Sequence, residues 1–122
     1  MRKLFFILFT MLLYSAAIFS QAGWYSQFSM TSSYLYCIDF PSSSTGWSCG
    51  QNGTIVKTTN GGINWSMQLS GTTGFLYTIF FIDINDGWTA GQNGVIRKTT
   101  NSGVNWVTQA GSFTGFIYSL FF

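Results

Sequence analysis

The sequence contains no histidine, and only 7% of its 122 residues are charged. Its three acidic residues, Asp39, Asp83 and Asp86, are all aspartate, so glutamate is missing as well. Without histidine, the usual general base and the commonest metal ligand are absent. Cys37 and Cys49 are the only cysteines and cannot complete a zinc site by themselves. Proline occurs once, at Pro41. No stretch after the first 22 residues carries a helical hydrophobic period long enough to compete with strands. These gaps point away from an enzyme: the expected catalytic, metal and cofactor sites are none.

The net charge of +2 belongs to the leader. Arg2 and Lys3 precede an apolar run from Leu4 to Phe19, and small residues follow at Ser20 and Ala22. That layout is a secretory signal peptide over residues 1–22, with cleavage after Ala22 or Ser20. The run is broken by Thr10, Tyr14 and Ser15 and is shorter than the ~20 residues a spanning helix needs. The expected mature chain, 23–122, therefore has no stable membrane span and is exported, to the periplasm, the cell surface or the medium. Its remaining cations, Lys57, Arg97 and Lys98, balance the three aspartates. Binding nucleic acid takes clustered positive charge, so nucleic acid is not an expected partner.

What the chain does have is repetition, in register, at 41 residues. Gly46-Trp47 recurs as Gly87-Trp88, Gln51-Asn52-Gly53 as Gln92-Asn93-Gly94, and Trp65 as Trp106. Within one copy, Leu35 to Phe40 alternates as a half-buried strand should, with Tyr36, Ile38 and Phe40 on one face. A second strand runs from Gly46 to near Gly50, a third over Thr54 to Thr58, and a fourth starts around Asn64-Trp65. Asn52-Gly53 and Asn93-Gly94 are strong signals for a tight hairpin turn with positive φ at both residues. Four short antiparallel strands per repeat of this length make a propeller blade. The expected fold is all-β, a partial β-propeller. Residues 24–34 are read as the closing fourth strand of a missing blade, 35–75 and 76–116 as two blades, and 117–122 as the first strand of the next.

Thr58-x-Asn60-x-Gly62-x-x-Trp65 and Thr99-x-Asn101-x-Gly103-x-x-Trp106 resemble the Asp-box of bacterial neuraminidase-type (BNR) repeats, with Asn in place of the usual Asp. With Gly-Trp upstream, at Trp47 and Trp88, the whole unit resembles the repeats of photosystem II assembly and stability factors, a repeat type also found in other exported bacterial proteins. The resemblance implies structural roles for these ten residues: an Asx side chain bonding nearby backbone, a left-handed glycine, and a tryptophan packed beneath. On that reading Trp65→Ala damages folding and not a binding event. The related sialidases hold a carboxylate substrate with three arginines, whereas Arg97 is the single arginine left after export.

In a simple hairpin with Phe40 opposite Trp47, Cys37 and Cys49 fall on opposite faces, so a disulfide would require a bulge or a slipped register. The sequence leaves that open. The first functional expectation is a non-enzymatic, exported propeller module for binding or structure, a truncated piece of a larger secreted or surface protein. Its partners would be a protein or glycan of unknown identity and the remaining blades of its own chain. The alternatives are an assembly or stability factor for a membrane protein complex, and a fragment of a sialidase-like hydrolase without its catalytic residues. A short protein whose copies close a ring is a further possibility.

Overall fold

A computed structural model of the chain describes residues 26–122. The signal peptide expected over 1–22 lies outside the described residues, as do Trp24 and Tyr25 of the expected closing strand. The rest of that segment, 26–34, forms no strand.

Eight strands follow: β1 (Leu35–Asp39), β2 (Gly46–Gly50), β3 (Ile55–Thr58), β4 (Ser66–Gln68), β5 (Leu76–Phe81), β6 (Gly87–Gly91), β7 (Ile96–Thr99) and β8 (Val107–Thr108). They form two antiparallel four-stranded sheets in sequence order, β1-β2-β3-β4 and β5-β6-β7-β8. This is an all-β, unclosed arc of a propeller, two blades with one connectivity. The fourth strands begin one residue after Trp65 and Trp106, so each tryptophan closes the turn and does not join the ladder. Residues 117–122 are not assigned as a strand; Ile117 donates its N–H to Gly91 O, and Leu120 donates its N–H to Thr78 Oγ1. Among the described residues, no helix is long and apolar enough to cross a membrane.

The hairpin turn falls where Asn-Gly dictates. Asn52 and Gly53 have φ of 57° and 69°, and Thr54 N–H closes the turn on Gln51 O at 3.0 Å. The Gly50 N–H then bonds Thr54 O, making the connection one residue longer than the shortest hairpin.

The register of β1 on β2 differs from the simple hairpin. The pairing is slipped by one residue, so that Asp39, not Phe40, lies opposite Trp47 and Cys37 lies opposite Cys49, and a bulge follows between Cys37 and Leu35. The second blade repeats it, with Phe80 opposite Trp88 and Thr78 opposite Ala90. The two cysteines are therefore direct cross-strand neighbours, and both are free thiols.

The core lies between the blades. Trp47, fully buried, stacks on Phe81 of β5 with ring centroids 3.7 Å apart and planes 13° from parallel. Phe81 in turn meets Trp106 edge-on at 5.9 Å. Cys49, Ile55, Leu76 and Ile79 complete the cluster. So Ile79 and Phe81 are buried because blade one stands before them, while their equivalents Ile38 and Phe40 are exposed. The burial of that face is a property of neighbouring blades, which no single repeat can supply.

Polar contacts also bridge the blades. Asp39 accepts the Phe81 N–H at 2.7 Å. Lys57 lies over Trp47, Nζ 5.0 Å from the ring centroid, and donates to Ser102 O and Oγ. Burial lowers the Lys57 pKa. Arg97 and Lys98 sit on β7, an interior strand of the second sheet. Lys98 covers Trp88 at 4.9 Å, and Arg97 donates to Gly71 O in the segment that joins the blades.

Candidate functional site

Each Thr-x-Asn-x-Gly-x-x-Trp turn is built around a buried hydroxyl. Thr58 donates to Asn60 Oδ1 at 3.0 Å, and its oxygen accepts the N–H groups of Asn60 and Gly62 at 3.3 and 2.9 Å. Asn60 Oδ1 also accepts the Asn64 N–H at 2.9 Å, four residues on and not two. Thr99, Asn101, Gly103 and Asn105 repeat the arrangement. Gly62 and Gly103 have φ of 92° and 78°, the left-handed region that glycine enters without steric cost. Trp106 is buried and Trp65 half-buried; Trp65 meets Phe40 edge-on at 6.0 Å. The Thr and Asn groups are occupied in holding the turn, while the buried Trp106 Nε1 has no hydrogen-bond partner.

Thr58→Val removes that oxygen while keeping the shape. The buried Gly62 N–H would lose its partner, so a loss of about 1–3 kcal/mol in stability is expected. Urea unfolding followed by circular dichroism measures it, and an unchanged midpoint would contradict the assignment.

The glutamine of Gln-Asn-Gly has a role that the repeat pattern alone did not disclose. Gln51 Oε1 accepts the Tyr34 N–H, and its own N–H donates to Tyr34 O at 2.9 Å. Gln92 does the same to Phe75. Each glutamine therefore clamps the chain as it enters the blade. Its recurrence at the repeat spacing was the available signal.

The surface with the most distinctive chemistry is a row of aromatic rings running across successive copies. Tyr36 lies 5.5 Å from Tyr77, and Tyr77 lies 5.0 Å from Tyr118. Phe75 and Phe116 sit beside Tyr77 at 6.4 and 6.3 Å. Tyr36, Phe116 and Tyr118 are 44%, 52% and 68% exposed. Desolvation first, then the Tyr118 and Tyr36 phenols nearby, raise the Tyr77 pKa. It presents flat apolar faces with hydroxyl tips, the chemistry that suits contact with a peptide.

A second concavity, an open groove of about 630 Å³, is lined by residues 52–54 and 67–73. Its wall is mostly turn and linker. The Asp83 carboxylate lies apart from it and caps its own turn, accepting the Asp86 and Asn85 N–H groups at 2.7 Å, which holds its pKa low. Among the described residues, no three His, Cys, Asp or Glu side chains gather at one point.

The comparisons with known proteins agree with this architecture. A family model described as Photosynthesis system II assembly factor YCF48 matches residues 16–110. A solved structure of YCF48 bound to D1 peptide is similar in fold, with a TM-score of 0.60 at 24% sequence identity. The match covers 66% of this chain and 27% of that one. YCF48 from Cyanidioschyzon merolae gives a TM-score of 0.60 at 25% identity, over 67% of this chain and 28% of that one. The chain thus spans under a third of the length of these solved relatives. No curated protein matches it.

Proposed function

The chain belongs to the Photosynthesis system II assembly factor YCF48 family, and from that premise we propose that its blades are part of an exported, non-enzymatic propeller that binds a protein partner. The observation that carries this reading is the aromatic row of exposed Tyr36 on β1, half-buried Tyr77 on β5 and exposed Tyr118 in the segment that follows the second blade. Rigid aromatic rings supply contact area at low entropic cost, which is why binding surfaces favour them. A similar structure holds a D1 peptide, which makes that peptide the partner to test first. The membrane-complex assembly role is the specific form of this reading.

Export rests on the leader: Arg2 and Lys3, the apolar run, then Ser20 and Ala22. N-terminal sequencing of the protein recovered from cells should begin at residue 23, or at 21. A chain beginning at Met1 in the cytoplasm would end this part of the proposal. The non-enzymatic reading rests on side-chain chemistry. The sequence offers no histidine or glutamate, and the Asp39 and Asp83 carboxylates are engaged in an inter-blade bond and a turn. The hydrolase alternative has no residue here to support it.

Titrating a fluorescent D1 peptide into the full chain should give saturable binding. Tyr77→Ala should weaken it roughly tenfold or more with an unchanged far-ultraviolet spectrum. No saturable binding, or equal binding by the variant, would overturn the assignment of this surface.

A further inference from the structure

The register of β1 on β2 brings Cys37 directly opposite Cys49, beside a bulge between Leu35 and Cys37. Opposed residues of an antiparallel pair have Cα atoms roughly 4.5–5.5 Å apart, inside the ~4.4–6.8 Å that a disulfide bridges. Both side chains leave the sheet on the same face. Cys37 Sγ donates to Ile79 O at 3.7 Å, and Cys49 Sγ donates to Leu76 O at 3.6 Å, both on β5. The blade does not require cysteine at either position, because the second blade carries Thr78 and Ala90 at the same opposed positions. Two cysteines have therefore been placed together at a site the fold fills with other residues.

We propose that Cys37 and Cys49 form a redox-active dithiol, closing to a cross-strand disulfide by exchange with a disulfide oxidant. Cys37 is half-buried and Cys49 fully buried, so the oxidant meets Cys37 first. The Cys37 thiol loses its proton to water, and its thiolate attacks one sulfur of the oxidant. A mixed disulfide forms and one oxidant thiolate departs. Cys49 then loses its proton and attacks the Cys37 sulfur, forming the cross-strand bond and expelling the second oxidant thiolate. Two electrons pass from the cysteines to the oxidant, and the two protons end on its thiols or in solvent.

Burial pushes the Cys49 thiol up to about 12, against a lowering contribution from Thr89 and a further rise from Cys37. The second step is accordingly slow near neutrality and accelerates with pH, because the thiolate is the nucleophile. Closure ties β1 to β2 and takes away both S–H donors that reach β5. The oxidised chain holds its first blade more tightly and its joint to the second less tightly.

The test equilibrates the full chain in mixtures of glutathione disulfide and glutathione. Acid quenching, alkylation and non-reducing peptide mapping follow. The expected product is a monomeric species about 2 Da lighter than the dithiol, with the Cys37 peptide linked to the Cys49 peptide. Its rate of formation should rise about tenfold per pH unit between neutrality and pH ~9. Three results would overturn the proposal: both cysteines alkylated at every ratio, a reaction that stops at a glutathione adduct on Cys37, or linkage only between two chains. Cys37→Thr and Cys49→Ala install the residues the second blade uses at these positions, so both should fold. A 2 Da loss persisting in either variant would overturn it as well.

Discussion

Trp47→Ala is expected to unfold the chain or leave it barely folded. The ring is fully buried, stacks on Phe81 at 3.7 Å, and carries Lys57 on its other side. Its Nε1 donates to Gln68 Oε1 at 3.1 Å, which the truncation would also leave without a partner. Aromatic-to-alanine changes in a core cost about 3–5 kcal/mol, against roughly 5–15 kcal/mol for a whole domain. Trp65→Ala should cost less, about 1–2 kcal/mol, because that ring is half-buried and meets Phe40 only edge-on. Denaturant unfolding monitored by circular dichroism orders the two. If Trp65→Ala were the more damaging, the joint between blades would not be the seat of stability.

Gly53→Ala is expected to be nearly as severe, for a different reason. Gly53 has a φ of 69°, and an added Cβ would run into the carbonyl oxygen of Thr72. Backbone cannot step aside as a flexible side chain can, so the segment joining the two blades would have to move. Gly94, at the same point of the second copy, faces Phe113 O in the same way. A loss of more than about 2 kcal/mol follows from strain and displacement together. Gly111→Ala is the control, since nothing lies within 4 Å of its added carbon. It should be neutral or gain about 0.4–1 kcal/mol from a less flexible unfolded chain. Equal effects at the two positions, read from thermal midpoints, would remove the steric explanation.

Much of the fold is legible because its signals are local. Asn52-Gly53 announces a turn with two positive φ angles, and the turn is there. The strands of the two blades fall within a residue or two of the expected positions, though 26–34 and 117–122 form none, and the Thr58 to Trp65 turn closes on its own hydroxyl and amide groups. The misreadings share a non-local cause. The bulge near Leu35 was invisible because pairing register is settled by two strands together. The part Arg97 plays was not legible either, because its hydrogen-bond partner, Gly71 O, lies in the linker between blades. The aromatic row was legible as recurring tyrosines, yet its existence as a surface depends on how neighbouring inner strands pack.

The sequence by itself determined the blade: its period, its four strands, its turns and the packing tryptophans. These follow from backbone conformation and short-range hydrogen bonds, which a few neighbouring residues control. Tertiary structure alone decided which face of each first strand is buried. It also decided that Trp47 meets Phe81 and that the two cysteines stand opposite one another. Those outcomes depend on contacts between residues far apart in the chain, where a one-residue shift in register redirects every side chain beyond it.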